Sequence, residues 1–396
     1  MRILVTNSSY WNALAVVRAL GRAGHSVFVA GPRSASRLAR QGVATWSRYS
    51  AKKLYYTDPA HDAEQYASDI VEILQSESID VLCPIGIKEV LATLRSEDTI
   101  RPLVAIPFGS YEAVSEANDK SHVMRAAAEA GVPTPQTEHV EGIEGLRALQ
   151  VDSPTVVKTC IGAASQGVWM VPDPERWPQT LTQISEKLEK TEAAERLYLD
   201  AERFVVQELI PGRVHDVCLL ADHGEVKALL TQERIKTVSL SGGAGLMNVT
   251  TREPEIAEYA RRLVRHLQYH GLAQVEFIRD SRDGSYRLLE INAKYWGTLA
   301  LSVAAGIDFP GLAVQLAIGR PVPESFDYRV PLTYRWRFPG EVIAWFKQRK
   351  EGASLRSILA PPPGPVRSDW RWSDPLPSVH QVLTTAWKLA RPDWSG

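Results

Sequence analysis

Along the first part of the chain, short apolar runs of strand length alternate with longer segments whose apolar residues have helical spacing. The pattern predicts strands at 3–5, 27–29 and 81–84, with helices at 12–23 and 63–75. Alternating strands and helices indicate a parallel sheet with crossover helices. We therefore expect a doubly wound parallel α/β domain over residues 1–115.

The middle of the chain combines strands, hairpin turns and amphipathic helices. The pattern predicts strands at 155–158, 168–171, 204–208, 217–220, 226–230, 273–278 and 286–292. It also predicts helices at 118–129, 255–270, 299–305 and 311–318, and a charged helix with its connector at 184–203. Asp222-His223-Gly224 and Asp280–Ser285 have the composition of hairpin turns, so the strands on either side of each should pair.

The pattern changes after residue 320, where proline and tryptophan become more frequent. A proline-rich run at 361–365 marks an irregular segment. We expect residues 321–396 to form a C-terminal extension that packs on the main body, with Trp370 and Trp372 in the contact.

The overall composition argues against several classes of function. The 396 residues are 44% hydrophobic, which is enough for a sizeable core, and their net charge is -1. That balance gives no general attraction to nucleic acid or to acidic lipid. Three scattered cysteines do not suggest a zinc site or disulfides, and no segment has the uninterrupted apolar length of a membrane span. We expect a cytoplasmic protein without a nucleic-acid or membrane partner, and a homodimer on general frequency.

Polar side chains interrupt the last predicted hairpin at positions that suggest metal binding. Glu290 and Asn292 share one face of their strand, and Glu276 lies on the partner strand. Two carboxylates and an amide oxygen are the hard ligands that Mg²⁺ prefers. The alternative is an ordinary solvated polar face. Asparagine is a poor strand former, and Lys294 continues the same parity, so a metal site is favoured.

Three other segments could bind a nucleotide. Lys158 ends a strand before the small-residue loop 162–167, whose backbone N–H groups could fold over phosphates, and Lys120 begins a helix. The strand that ends at Gln207-Glu208-Leu209-Ile210 exposes backbone groups suited to adenine. Arg234 and Lys236 lead into a second glycine-rich loop. Each segment could equally be a plain turn, a strand end or an exposed basic loop.

Taken in order, these segments resemble the ATP-grasp superfamily, in particular its carbamoyl-phosphate-synthase-like and carboxylate–amine ligase branches. The resemblance extends over about residues 1–320 and rests on the following runs: Asn118-Asp119-Lys120, Ala130–Pro135, Val156–Lys158, Gln207–Gly212, Arg234–Lys236, Val275–Phe277, Glu290–Gly297 and Ala304–Pro310. It implies an α/β and α+β architecture. The N-terminal domain would be followed by a two-lobed ATP-grasp fold at 116–320, with an adenine hinge near 207–212.

The resemblance also implies roles for individual residues. The groups that contact ATP would be Lys120, Lys158, Gly162, Ser165, Gln207, Glu208, Leu209 and Ile210, with His215 at the ribose. Glu276 and Glu290 would hold magnesium, with Glu290 bridging two Mg²⁺ ions (Mn²⁺ is possible) and Asn292 completing the second site. Arg234, Lys236 and Lys294 would neutralise the transferring phosphoryl group.

The activity that the resemblance implies is ATP-dependent ligation of a small-molecule carboxylate to an amine through an acyl phosphate. Lys294 stands where the family usually has arginine, which keeps the charge but not the bidentate geometry. Other possibilities are transfer to a thiol, a carboxylation, or nucleotide binding without catalysis. No Met-Lys-Met biotinyl-carrier signature occurs in the chain.

Overall fold

Four parallel strands form the N-terminal sheet, in the order β3-β2-β1-β4. The computed structural model describes residues 1–33, 42–162, 167–191, 198–200, 202–239, 242–336, 340–348 and 361–389. The strands are β1 (Arg2–Val5), β2 (Ser26–Pro32), β3 (Ser50–Tyr56) and β4 (Val81–Cys83). The helices are α1 (Trp11–Arg22), α2 (Ala63–Ser76), α3 (Ile87–Arg95), α4 (Glu97–Ile100) and α5 (Tyr111–Asn118), with a 3-10 turn at Val43–Trp46. The parallel α/β domain is confirmed, although the lysine-bearing edge strand β3 was not predicted.

A small antiparallel sheet follows, in the order β5-β8-β6-β7, and it has a hydrophobic core of its own. Its strands are β5 (Thr137–Glu141), β6 (Thr155–Thr159), β7 (Val168–Val171) and β8 (Arg203–Glu208). Its helices are α7 (Gly142–Ala148) and α8 (Trp177–Lys190), with a short 3-10 turn at Pro174–Arg176, whereas the preceding helix α6 (Lys120–Glu129) packs into the large core. Val157, Ile184 and Phe204 are completely or almost completely buried in this core.

The third sheet has seven strands, in the order β13-β12-β9-β10-β11-β14-β15. Its strands are β9 (Gly212–Asp222), β10 (Glu225–Ser239), β11 (Gly242–Thr251), β12 (Gly271–Asp280), β13 (Tyr286–Asn292), β14 (Thr333–Arg335) and β15 (Val366–Arg367). The helices here are α9 (Pro254–His266), α10 (Leu299–Ala305) and α11 (Phe309–Ala317). One core joins this sheet to the N-terminal domain, whereas the small sheet forms a separate lobe.

The C-terminal extension contributes to the large sheet instead of merely covering it. Strand β14 pairs with β11, and β15 pairs with β14. Two helices, α12 (Val342–Gln348) and α13 (Leu376–Leu389), complete this part. The expected packing role is wrong for Trp372, which is 85% exposed, and stays a prediction for Trp370, which is 44% exposed. The proposed limits at residues 115 and 320 stay predictions.

Within the described residues, no single helix is both long and apolar enough to cross a membrane. The helices Leu299–Ala305 and Phe309–Ala317 together have the length and apolar composition of a membrane span, but they are bent by 99° relative to each other.

Candidate functional site

A row of three carboxylates crosses three adjacent strands at one side of the large sheet. Glu276 on β12 lies opposite Glu290 on β13 and opposite Asp216 on β9. Because side chains alternate along a strand, residues in such a cross-strand row project from the same face. Asp216 is fully buried and Glu276 is 8% exposed. The expected pairing of Glu276 with Glu290 is confirmed.

Asn292 joins this row through its side-chain amide. Its Nδ2 donates to Glu276 Oε1 at 2.8 Å and to Glu290 Oε1 at 3.3 Å. The two carboxylates and the amide therefore lie within reach of one small ion, and they are the oxygen ligands that Mg²⁺ selects. This donor set fits magnesium.

The two glutamates of the row have different electrostatic surroundings. Burial raises the pKa of Glu276 to about 7, against the effect of Arg234, and the charges of Glu290 and Asp216 add to the rise. Burial also acts to raise the pKa of Glu290, but nearby lysines and Arg234 outweigh it and lower that pKa. A bound divalent cation would favour the ionised form of both carboxylates.

Lysines from the small lobe and the adjoining helix meet the carboxylates of the large sheet. Lys120 begins α6, and its Nζ lies 3.4 Å from Glu290 Oε2 and donates to the carbonyl of Gly162 at 3.2 Å. Lys158 is buried on β6, and burial lowers its pKa to about 8, although Glu290 opposes the shift. The half-buried Lys294 follows β13, and burial lowers its pKa too. The site therefore lies between the two lobes.

Arg234 on β10 is fixed against the same row. Its Nη2 and Nε donate to the carboxylate of Asp216 at 2.6 and 3.1 Å, and Nη2 also pairs with Glu276 Oε1. Gln232 donates to Asp216 at 2.8 Å from the other side. Asp216 was not predicted as a site residue. Its one sequence signal is that an aspartate stands inside an otherwise apolar strand.

The segment between β8 and β9 connects the lobes and has the features expected of an adenine hinge. The buried Gln207 donates to Thr137 Oγ1 at 2.9 Å, and Leu209 N donates to Pro154 O at 2.9 Å. The carboxylate of Glu208 accepts from Gln136 N at 3.2 Å. Ile210 makes no backbone hydrogen bond with any other described residue, so its N–H and C=O can pair with a ligand.

His215 does not lie where it was expected. His215 neighbours Asp216 on β9 and so projects from the opposite face, where it is 4% exposed and packs edge-on against Tyr286. The expected ribose contact is therefore wrong. Lys236 Nζ lies 3.7 Å from Glu341 Oε2, and its expected role at the phosphoryl group stays a prediction. Ser165 lies outside the described residues.

The N-terminal parallel domain and the two lobes that bring lysines to a row of carboxylates have the architecture expected of an ATP-grasp fold. Residues 200–337 match the family described as "ATP-grasp in the biosynthetic pathway with Ter operon". Over these residues, about a third of the chain, the sequence matches an ATP-grasp family, as its motifs indicated.

Known proteins are similar to the chain at low sequence identity. Pyruvate carboxylase 1 of Caenorhabditis elegans is 27% identical over 229 residues, which are 54% of this chain and 19% of the relative. The chain spans about a fifth of the length of the curated relatives it matches. A biotin carboxylase from Campylobacter jejuni has a TM-score of 0.64 at 16% identity, over 81% of this chain and 72% of that one. An L-amino acid ligase from Bacillus licheniformis has a TM-score of 0.63 at 16% identity, over 83% and 77%.

Proposed function

We propose that the protein is an ATP- and magnesium-dependent ligase that activates a small-molecule carboxylate as an acyl phosphate and transfers it to an amine. The observation that carries this proposal is the convergence of Glu276, Glu290 and Asn292 with Lys120 and Lys158 between the lobes. Acidic oxygen ligands beside buried lysines suit a metal–triphosphate complex, in which both signs of charge must be matched.

The nucleotide would lie with its adenine at the hinge and its phosphates at the lysines. Ile210 and Glu208 would bond the adenine edge through their backbones, beside the side chain of Gln207 and the chain at Leu209. Lys120 and Lys158 would hold phosphate oxygens near Gly162, whose carbonyl already accepts from Lys120. Because Lys158 is buried, its ammonium would interact with a phosphate more strongly than an exposed lysine could.

Glu276, Glu290 and Asn292 would hold two Mg²⁺ ions, or Mn²⁺, which would neutralise phosphate charge during the transfer. Asp216 keeps Arg234 in a fixed orientation at the row. Arg234 is therefore preorganised to stabilise negative charge on the phosphoryl group without moving.

The reaction would proceed in two balanced steps. An oxygen of the substrate carboxylate attacks the γ-phosphorus of ATP, and the bond to the β-phosphate oxygen breaks to release ADP. The amine nitrogen then attacks the acyl carbon, phosphate leaves, and the amine loses a proton to water. Positioning and charge stabilisation are enough for both steps, so no nucleophilic side chain is needed. Lys294, half-buried and beside Glu290, would attract the acyl phosphate as a point charge.

The test is ADP release with pooled carboxylates and amino acids, with and without hydroxylamine, which converts an acyl phosphate to a hydroxamate. We expect hydroxamate from the parent and at least about a hundredfold slower turnover from Glu290→Gln. Glu138→Gln on β5 is the matched control, because Glu138 is exposed. If Glu290→Gln turns over as fast as the parent at saturating magnesium, the proposal is wrong.

Carboxylation is the second candidate, because the matched relatives include a pyruvate carboxylase and a biotin carboxylase. In that reaction bicarbonate replaces the organic carboxylate and forms carboxyphosphate. ADP release that requires bicarbonate, together with a product heavier by one CO₂, would support it over amide formation.

The proposal includes a cytoplasmic location and a homodimer acting on small molecules. Sedimentation of the full chain would measure the oligomeric state, and a monomer at assay concentration would contradict the dimer.

A further inference from the structure

A compact group of metal-binding side chains lies at the end of the large sheet, where β9 turns into β10. It consists of Asp222 and His223 in the turn and His270 just before β12. Asp222 is six residues along β9 from Asp216, which corresponds to about 20 Å. The cluster is thus separate from the proposed nucleotide site.

The three ligand atoms form a nearly equilateral triangle. His223 Nδ1 lies 2.8 Å from Asp222 Oδ1, and His270 Nδ1 lies 3.2 Å from that oxygen. The two Nδ1 atoms are themselves 3.2 Å apart. Ligands bound to Zn²⁺ at about 2.0–2.1 Å with tetrahedral angles are separated by about 3.3 Å. The triangle therefore approximates one face of a zinc coordination tetrahedron, with the fourth position open to water.

Without a cation, the two histidine Nδ1 atoms face each other unfavourably. Two neutral imidazoles that both direct Nδ1 lone pairs at one another repel, so at least one Nδ1 must carry a proton. A metal ion would use both nitrogens and the carboxylate oxygen as ligands at once.

The backbone already holds these ligands in place. Gly224 N donates to Tyr269 O at 2.8 Å, which fixes the turn to the residue before His270. The carbonyl of His270 accepts from Gly109 N at 3.0 Å. His223 has a φ of 46°, a conformation of the hairpin turn that histidine adopts more readily than most residues. Small side-chain rotations are thus enough to complete a site.

We propose that Asp222, His223 and His270 form a binding site for a divalent transition-metal ion of the zinc class, which joins the β9–β10 turn to the start of β12. The proposal does not depend on the ligase function. Arg101 interacts electrostatically with His270, and Lys227 with Asp222, and each positive charge would weaken the site. Both are tied to other acceptors, Arg101 to Glu97 and Lys227 to Glu225.

The experiment uses the full chain after treatment with EDTA, titrated with Zn²⁺ against a chromophoric chelator in saturating Mg²⁺. Magnesium keeps the proposed carboxylate site occupied while the histidine site stays open. We expect one tight equivalent of Zn²⁺ in the parent. His223→Asn and His270→Asn should each weaken it by at least about tenfold, since each removes one ligand. Asparagine tolerates a positive φ, so the turn is retained.

His266→Asn is the matched control, because the side chain of His266 on α9 is exposed and pairs only with Glu129 among the described residues. It should bind Zn²⁺ like the parent. Co²⁺ gives a second readout, because a tetrahedral Co²⁺ complex absorbs visible light. His223→Asn and His270→Asn should both lose this absorption. Equal Zn²⁺ affinity in the parent and in a His223→Asn/His270→Asn double variant with an unchanged Tm would overturn the proposal. A loss of Zn²⁺ affinity in His266→Asn as large as that in the two site variants would also overturn it.

Discussion

A buried arginine of the N-terminal domain binds the C-terminal segment. Arg18 on α1 donates to Asp374 Oδ2 at 2.8 Å, to Asp374 O at 2.9 Å and to Asp369 O at 3.0 Å. Both charged side chains are at most 5% exposed. Ser47 Oγ and Arg48 N also donate to the Asp374 carboxylate, each at 2.8 Å. Arg18→Met should therefore loosen the segment that ends in α13.

The magnitude follows from what the substitution leaves behind. Removing one partner of a buried ion pair typically destabilises by about 3–5 kcal/mol. Here Ser47 and Arg48 still donate to the carboxylate, so we expect the lower end, about 3 kcal/mol. That value corresponds to roughly a 150-fold increase in local opening. Hydrogen exchange of the α13 amides, followed by mass spectrometry, measures this opening directly.

Two control variants separate the ion pair from general damage. Arg22→Met removes an exposed arginine from the same helix, and Trp372→Ala removes a side chain that is 85% exposed. Both should change exchange less than threefold. Arg18→Met/Asp374→Leu should recover part of the protection, because no buried charge is left unpaired. The reasoning is refuted if Arg18→Met exchanges like the parent, or if Trp372→Ala opens α13 as much.

Two further predictions concern the nucleotide site and its hinge. Because the pKa of Lys158 is lowered from 10.5 to about 8 and a phosphate favours its charged form, nucleotide binding must take up a proton above pH 8. The nucleotide affinity measured by calorimetry should thus fall by up to about tenfold per pH unit above pH 8. Lys158→Arg should flatten this pH profile. His215→Phe, the control, should leave it unchanged. Gly212→Ala should lower the unfolding free energy by about 1–3 kcal/mol in urea, since its Cβ would lie 2.1 Å from Arg279 O. Gly109→Ala is the control and should leave the unfolding free energy unchanged, because its added Cβ would lie no closer than 3.5 Å to any atom beyond the adjacent residues.

Local pattern was enough to predict most strands and helices of the fold. Tyr286–Asn292 and Leu299–Ala305 begin and end at the predicted residues. Strand β3 was missed because Lys52 and Lys53 interrupt its apolar pattern at an exposed edge. The joining of β14 to β11 was missed for another reason: three residues carry no periodicity, and their partner lies more than eighty residues earlier.

For single side chains of the site, too, local pattern does not predict what depends on the pairing of distant strands. Glu276 and Glu290 belong to one hairpin, so their pairing follows from sequence spacing. The place of Asp216 depends on the pairing of β9 with β12, between strands separated by helix α9, and only that register distinguishes it from His215. A shift of one residue would exchange the two and place a histidine beside Arg234 and Glu276. That arginine would then lose its carboxylate partner, so the same long-range register that excludes His215 from the site also orients Arg234 within it.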